Sequence, residues 1–386
     1  MLIVSTIVGL LTILSVLLDA FETVVLPRRV QRQFRISAWF YPRTWIPWRR
    51  ISSRIKSRSH RENFLGYFGP LSLIFLLALW AAGLIVGFAL LQYGAGGHLQ
   101  LNNEPLTFGW LLYHSGETFF TLGYGDIVPN SGMARALSVL EAGMGFGFLG
   151  TVIGYLPTIY SSFSRREIEI SLLDARAGSP PTAAELLMRL GNSSRQEVLD
   201  QVFRDWERWA AEVLESHLSY PALSFFRSQH NNQSWLGALT TILDTTALVI
   251  AGVEGIASEQ AKITFAIARH ASVDLAQVVK ARYDPETPDR LPAAEFARLR
   301  QALAERGVRV REGAEAEQKL AQLRALYEPY AQGVARNLLI TVPPWLHPEK
   351  IKDNWQAGPW DRAIQAKSLA GLAPPKRPGQ GPDEHF

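Results

Sequence analysis

The sequence predicts an all-α membrane protein with a helical soluble part. Three observations predict it. The first 160 residues hold three long apolar runs, a block of positive charge lies between two of them, and the remainder shows helical periodicity punctuated by proline. Hydrophobic residues make up 47% of the 386 and charged residues only 19%, below the roughly 25% usual in soluble chains, and the shortfall sits in the first 160 positions. The absence of cysteine excludes disulfides, thiolate metal sites and cysteine nucleophiles. The eight histidines are scattered without helical metal-ligand spacing, which argues against structural zinc.

The first span is Leu2–Leu18, continued through Ala20–Phe21 to Val24–Leu26. It is long enough to cross a bilayer, at about 20 residues per span. A signal peptide would need a basic n-region and a small-residue cleavage site. This run has neither and ends in Asp19, Glu22, Pro27, Arg28 and Arg29, so it reads as a retained anchor. The second span lies within Asn63–Asn103, a stretch free of Lys, Arg, Asp and Glu, with its core at Leu71–Leu91. The third runs from about Met133 to Phe163, and Glu141 is the one charge between Arg135 and Arg165.

Charge sets the orientation. Residues 1–65 hold 11 Lys or Arg against 3 acids, and all 11 fall in Arg28–Arg61. By the positive-inside rule that segment is cytoplasmic, the N-terminus external and the C-terminal part cytoplasmic. Glu104–Ala134, between the second and third spans, has no Lys or Arg, as an external segment should. A nucleic-acid binder spreads basic charge over a folded domain, so no nucleic-acid partner is expected. The basic segment also carries Trp39, Phe40, Tyr41, Trp45 and Trp48. Aromatics beside arginine suit the headgroup layer, giving either a helix lying on anionic lipid or a loop whose aromatics pack on the protein. The expected domains are an anchor at 1–26, a basic aromatic loop at 27–64, a pore domain at 65–164, a helical cytoplasmic domain at 165–345 and a partly disordered tail at 346–386.

Leu106–Leu122, between the second and third spans, is moderately apolar but too short to cross twice. It runs into Thr118-Phe119-Phe120-Thr121-Leu122-Gly123-Tyr124-Gly125-Asp126. This resembles the potassium-channel signature Thr-x-x-Thr-x-Gly-Tyr-Gly, followed by the acid many such channels carry. Leu122 stands where Val or Ile is usual. The resemblance covers about residues 66–163 and implies an outer helix, a re-entrant pore helix, a filter and an inner helix, as in two-span pore-loop potassium channels, with an extra N-terminal transmembrane helix here. It also implies a homotetramer.

Potassium sheds its water only where oxygens replace it, and stacked rings of backbone carbonyls do so. Turning those carbonyls to one side requires alternate residues free of side-chain restriction, which Gly123 and Gly125 supply because glycine reaches positive φ without steric cost. The expected ion contacts are main-chain oxygens of Thr121, Leu122, Gly123 and Tyr124, with Gly125 completing the filter and Thr118 supporting it. The pore helix, ending near Phe120, aims its negative end at the permeating cation. Glu117 and Asp126 lie nine residues apart, and folding the filter back along the helix is expected to bring them together, sharing one proton behind it. The alternative is two independent acids. Glu141 within the inner helix is a functional candidate by position, facing the back of the filter or a neighbouring subunit. Gly145 matches the hinge glycine of related channels, and packing is the alternative reason for it. Gly145-Phe146-Gly147-Phe148-Leu149-Gly150 spells a dinucleotide fingerprint but lies inside a span, so that reading is rejected. Pro157 is expected to kink the exit of the inner helix.

Beyond residue 165, Arg195–His217 and Glu259–Tyr283 are amphipathic at helical spacing. Trp235–Ala257 reads as a helix buried in the soluble part, with a fourth span as the alternative. Ala370–Phe386 reads as disordered. The expected function is a potassium-selective channel of the cell membrane, with passive flux, no catalytic step and no cofactor. The rivals are a poorly selective cation channel and a membrane-anchored scaffold with a vestigial pore.

Overall fold

The computed structural model describes residues 1–26, 35–96, 99–100, 107–191, 193–230, 232–283 and 287–347. The expected disordered tail and the start of the basic segment, residues 28–34, lie outside the described residues. Among the described residues the fold is all-α apart from one two-residue ladder and an isolated bridge between Val253 and Val310, and it divides into two compact units: Met1–Arg50 with Tyr67–Ser161, and Ile51–Gly66 with the residues from Ser162 onward.

The first unit holds α1 (Leu2–Ala20), extended by a π-helical turn at Phe21–Val25, and most of α2 (Ile36–Ser52). After α3 (Arg58–Gly66), which belongs to the second unit, come α4 (Phe68–Gly94), β1 (Leu99–Gln100), α5 (Phe108–Phe119), β2 (Val128–Pro129) and the first part of α6 (Gly132–Ala177). α1, α4 and α6 are each long and apolar enough to span a membrane.

Small residues let α1 and α4 approach closely. A Cβ on Gly9 would lie 2.7 Å from the Gly87 carbonyl oxygen, and one on Gly83 would lie 2.8 Å from Val16. Lipid tails are as apolar as leucine, so this intimate packing, rather than a hydrophobic drive, holds such helices together. Ile13, Val16, Leu76, Trp80, Leu84 and Phe88 fill the seam. Asp19, fully buried near the end of α1, makes that position specific. It accepts from Trp80 Nε1 of α4 at 2.9 Å, and from Ser37 N and Oγ of α2 at 3.1 and 3.0 Å. β1 and β2 pair antiparallel, Leu99 opposite Pro129 and Gln100 opposite Val128, closing the segment that carries α5.

The second unit wraps helices around an apolar centre. α7 (Ala183–Leu190) and α8 (Gln196–Ser219) are followed by α9 (Trp235–Gly252), α10 (Glu259–Val278), α11 (Ala293–Ala304), α12 (Ala314–Ala325) and α13 (Glu328–Leu338). α9 is the apolar run that could have been a fourth span. Every residue from Trp235 to Ala251 is buried, against α7, α8, α10, α12 and α13. Its one acid, Asp244, pairs with Arg290 at 2.7 Å and accepts from the Tyr327 hydroxyl, so the buried charge is compensated. α6 remains helical through Pro157 as far as Ala177. Its Arg166, buried in the second unit, donates to the Leu223 and Phe226 carbonyls at 3.0 and 2.9 Å and to His217 Nε2 at 3.1 Å.

Candidate functional site

The site begins where α5 ends. α5 presents Leu111, His114, Ser115, Glu117 and Phe119 to the protein, one buried face at helical spacing. Leaving the helix, Phe120 N donates to the Gly116 carbonyl at 3.0 Å, Thr121 N to that of Thr118 at 3.1 Å and Leu122 N to that of Glu117 at 2.8 Å. Thr118 thus braces the segment through its backbone. Positive φ then recurs at alternate residues: 56° at Thr121, 62° at Gly123 and 75° at Gly125. The two glycines fit the expectation. Thr121 does not, because a β-branched residue resists that region, and such strain persists only where the surroundings impose it. In the single chain Leu122 and Tyr124 are exposed.

A polar network lies behind the segment. Glu117, 5% exposed, accepts from Tyr124 N through Oε2 and meets His114 Nδ1 through Oε1, both at 3.3 Å. The other nitrogen of His114 meets Ser138 Oγ of α6 at 3.1 Å. Gln92 of α4 donates to Ser138 Oγ at 3.3 Å and to the Ala134 carbonyl at 3.2 Å. The Tyr124 amide is thereby linked through Glu117 and His114 to Ser138 of α6, and through Ser138 to Gln92 of α4.

Glu117 and Asp126 each have a partner on α5: Asp126 accepts from the Tyr113 hydroxyl at 3.0 Å, while Glu117 meets His114 and the Tyr124 amide. Glu141 does face α5: it is fully buried and takes the Ser115 hydroxyl, which also lies 2.7 Å from the Ile85 carbonyl.

Gly145 has a reason other than a hinge. A Cβ there would lie 1.9 Å from the Phe119 carbonyl oxygen and 2.8 Å from its carbon. α6 therefore touches the end of α5 backbone to backbone, and only glycine fits. Gly143, Gly147 and Gly150 meet nothing within 4 Å, and the whole glycine-rich stretch is helical, as the rejection of a dinucleotide loop requires.

Residues 74–161 match a family model described as ion channel. The chain carries a pore-loop ion-channel domain. Its outer helix is α4, its re-entrant helix α5 and its inner helix the first part of α6. Over 221 residues the chain is also 22% identical to the uncharacterized membrane protein YdjJ of Bacillus subtilis (strain 168), a match covering 56% of this chain and 61% of that relative. No solved structure matches the chain.

His114, Tyr113, Ser138 and Gln92 were not found from sequence, and neither was the positive φ of Thr121. His114 and Tyr113 carried a usable signal, since they sit three and four residues before Glu117 on the same helix. Gln92 and Ser138 carried none, because only the packing of α4 and α6 brings them to His114.

Proposed function

We propose that the channel conducts potassium selectively, through four copies of the Thr121–Gly125 segment set around an axis. The observation that carries this reading is the alternation of positive φ at Thr121, Gly123 and Gly125 within a Thr-Leu-Gly-Tyr-Gly sequence. Alternating the hand of successive residues turns the intervening carbonyls to one side, where the main-chain oxygens of Thr121, Leu122, Gly123 and Tyr124 can replace the water of a dehydrated cation. Irregular backbone at membrane depth needs protein or a water-filled cavity around it. One segment cannot enclose an ion, and the exposure of Leu122 and Tyr124 in a single chain is what a closed ring of four would remove. The network through Glu117, His114 and Ser138 holds the Tyr124 amide, and Asp126 with Tyr113 anchors the outer end.

The charge distribution supports a cell-membrane protein with its N-terminus external and its second unit cytoplasmic. Flux is passive, follows the electrochemical gradient and uses no cofactor. The test is substitution of Gly123 or Gly125 by Ala in protein reconstituted in planar bilayers. A β-carbon resists positive φ, so both variants should lose potassium preference or conduction. Unchanged potassium-over-sodium permeability in both would refute the assignment.

A further inference from the structure

We propose that α2 is an interfacial helix whose outer face binds the headgroups of anionic phospholipid, in the leaflet where α1 ends and α4 begins. The inference does not depend on which ion the channel passes.

α2 has two unlike faces. Ser37, Phe40 and Trp45 are buried, with Tyr41, Thr44 and Trp48 partly so, all at helical spacing. The opposite stripe is Trp39, Arg43, Ile46 and Arg50, at i, i+4, i+7 and i+11, and all four are exposed. Trp39 is 55% and Ile46 48% exposed, and the Arg43 guanidinium sits over the Trp39 ring at 4.9 Å.

The buried face is pinned at both ends to membrane-spanning helices. At the start of α2, the Ser37 amide and hydroxyl donate to the buried Asp19 carboxylate of α1, which also holds Trp80 of α4. Farther along, Trp45 packs edge-on against Phe68, the first residue of α4, with ring centroids 4.8 Å apart. A helix tied to the last turns of one span and the first turn of the next is held at the level where both leave the hydrocarbon. Its exposed Trp39, Arg43 and Ile46 therefore face the headgroup layer.

The stripe is chemically suited to that layer and to neither neighbour. Exposed tryptophan and isoleucine are unfavourable in water, and arginine is unfavourable in hydrocarbon. Together they suit the boundary, where indole sits among headgroups and guanidinium meets phosphate. Charge complementarity selects the lipid: α2 carries Arg43, Arg49 and Arg50 and no acid, which attracts anionic rather than zwitterionic headgroups. A second copy of this chain would have to bring acids to meet it, and the first unit has few to offer.

The cysteine-free chain permits a direct test. Full-length protein carrying a single nitroxide at Trp39→Cys, Ile46→Cys or Thr44→Cys is reconstituted in phosphatidylcholine vesicles with phosphatidylglycerol. Labels at 39 and 46 should collide more with dissolved oxygen than with a water-soluble nickel chelate, and the label at 44 should meet little of either. Dominant nickel collision at 39 and 46 would mean a helix in water. Protection from both reagents there would mean a protein partner. Either overturns the proposal. In a second arm, binding of headgroup-labelled phosphatidylglycerol and phosphatidylcholine is titrated in detergent. Phosphatidylglycerol should bind more tightly, and Arg43→Gln should weaken it about fivefold without changing phosphatidylcholine binding. Equal affinity for the two lipids, or no effect of Arg43→Gln in protein that elutes like wild type, also overturns it.

Discussion

Replacing Gly145 by Ala tests whether that residue serves contact or bending. The added Cβ would stand 1.9 Å from the Phe119 carbonyl oxygen, where ordinary contact begins at 3.4 Å. The obstacle is backbone at the end of α5, which has no rotamer to escape into, so α6 and α5 must part by more than an ångström. Overpacking of this kind costs typically about 1–3 kcal/mol, and a rigid partner puts it at the upper end. Alanine regains about 1 kcal/mol of helix propensity over glycine. The net is about 2 kcal/mol of lost stability, delivered two residues before Thr121. Thermal unfolding of the purified protein in detergent should show Gly145→Ala melting several degrees below wild type, with loss of conduction in bilayers. Gly143→Ala, which meets nothing within 4 Å, should melt no lower than wild type. A hinge glycine would behave differently: substitution would lower open probability and leave stability intact. If Gly145→Ala melts with wild type and Gly143→Ala, the contact argument is wrong.

Two further outcomes follow from the same geometry. Glu117→Ala removes the acceptor of the Tyr124 amide and should shift open probability in single-channel records, whereas Glu117→Gln keeps an oxygen there and should act more mildly; identical gating in all three proteins would leave the network without a role. In the second unit, His217 Nε2 accepts from Arg166 and its Nδ1–H donates to the Val213 carbonyl at 2.8 Å, while burial, first, and the Arg166 charge hold its pKa well below the usual imidazole value. Below about pH 6.5 the unfolded chain therefore takes up a proton that the folded unit refuses, and stability falls by up to about 1.4 kcal/mol per pH unit. His217→Gln keeps an acceptor for Arg166 but takes up no proton, so its melting temperature should fall less steeply between pH 6.5 and 5 than that of wild type; parallel profiles would refute the linkage.

The spans, the re-entrant helix and the glycine positions were legible because each rests on a local property: an uncharged run of bilayer length, a run too short to cross twice, or a residue type able to adopt positive φ. The helix Trp235–Gly252 was read as buried in the soluble part with a span as the alternative, and its complete burial, with Arg290 and Tyr327 at Asp244, bears the first reading out. The spacing of Glu117 and Asp126 marked both acids but not their partners, Tyr113 and His114 on the same helix, because spacing says which groups can meet and not which donors reach them. Gly145 was read through bending and through packing, which do not exclude each other, and the packing reason lies in a backbone 26 residues away that no local pattern encodes. For α2, the reading in which aromatics pack on the protein holds for Phe40 and Trp45, while Trp39 is exposed.

The most direct test of the central claim is the reversal potential of purified wild-type protein in planar bilayers, with potassium on one side and sodium on the other. Alternating backbone hand at Thr121, Gly123 and Gly125 predicts a potential close to the potassium equilibrium value. A reversal potential near zero, with current carried equally by both ions, would contradict it.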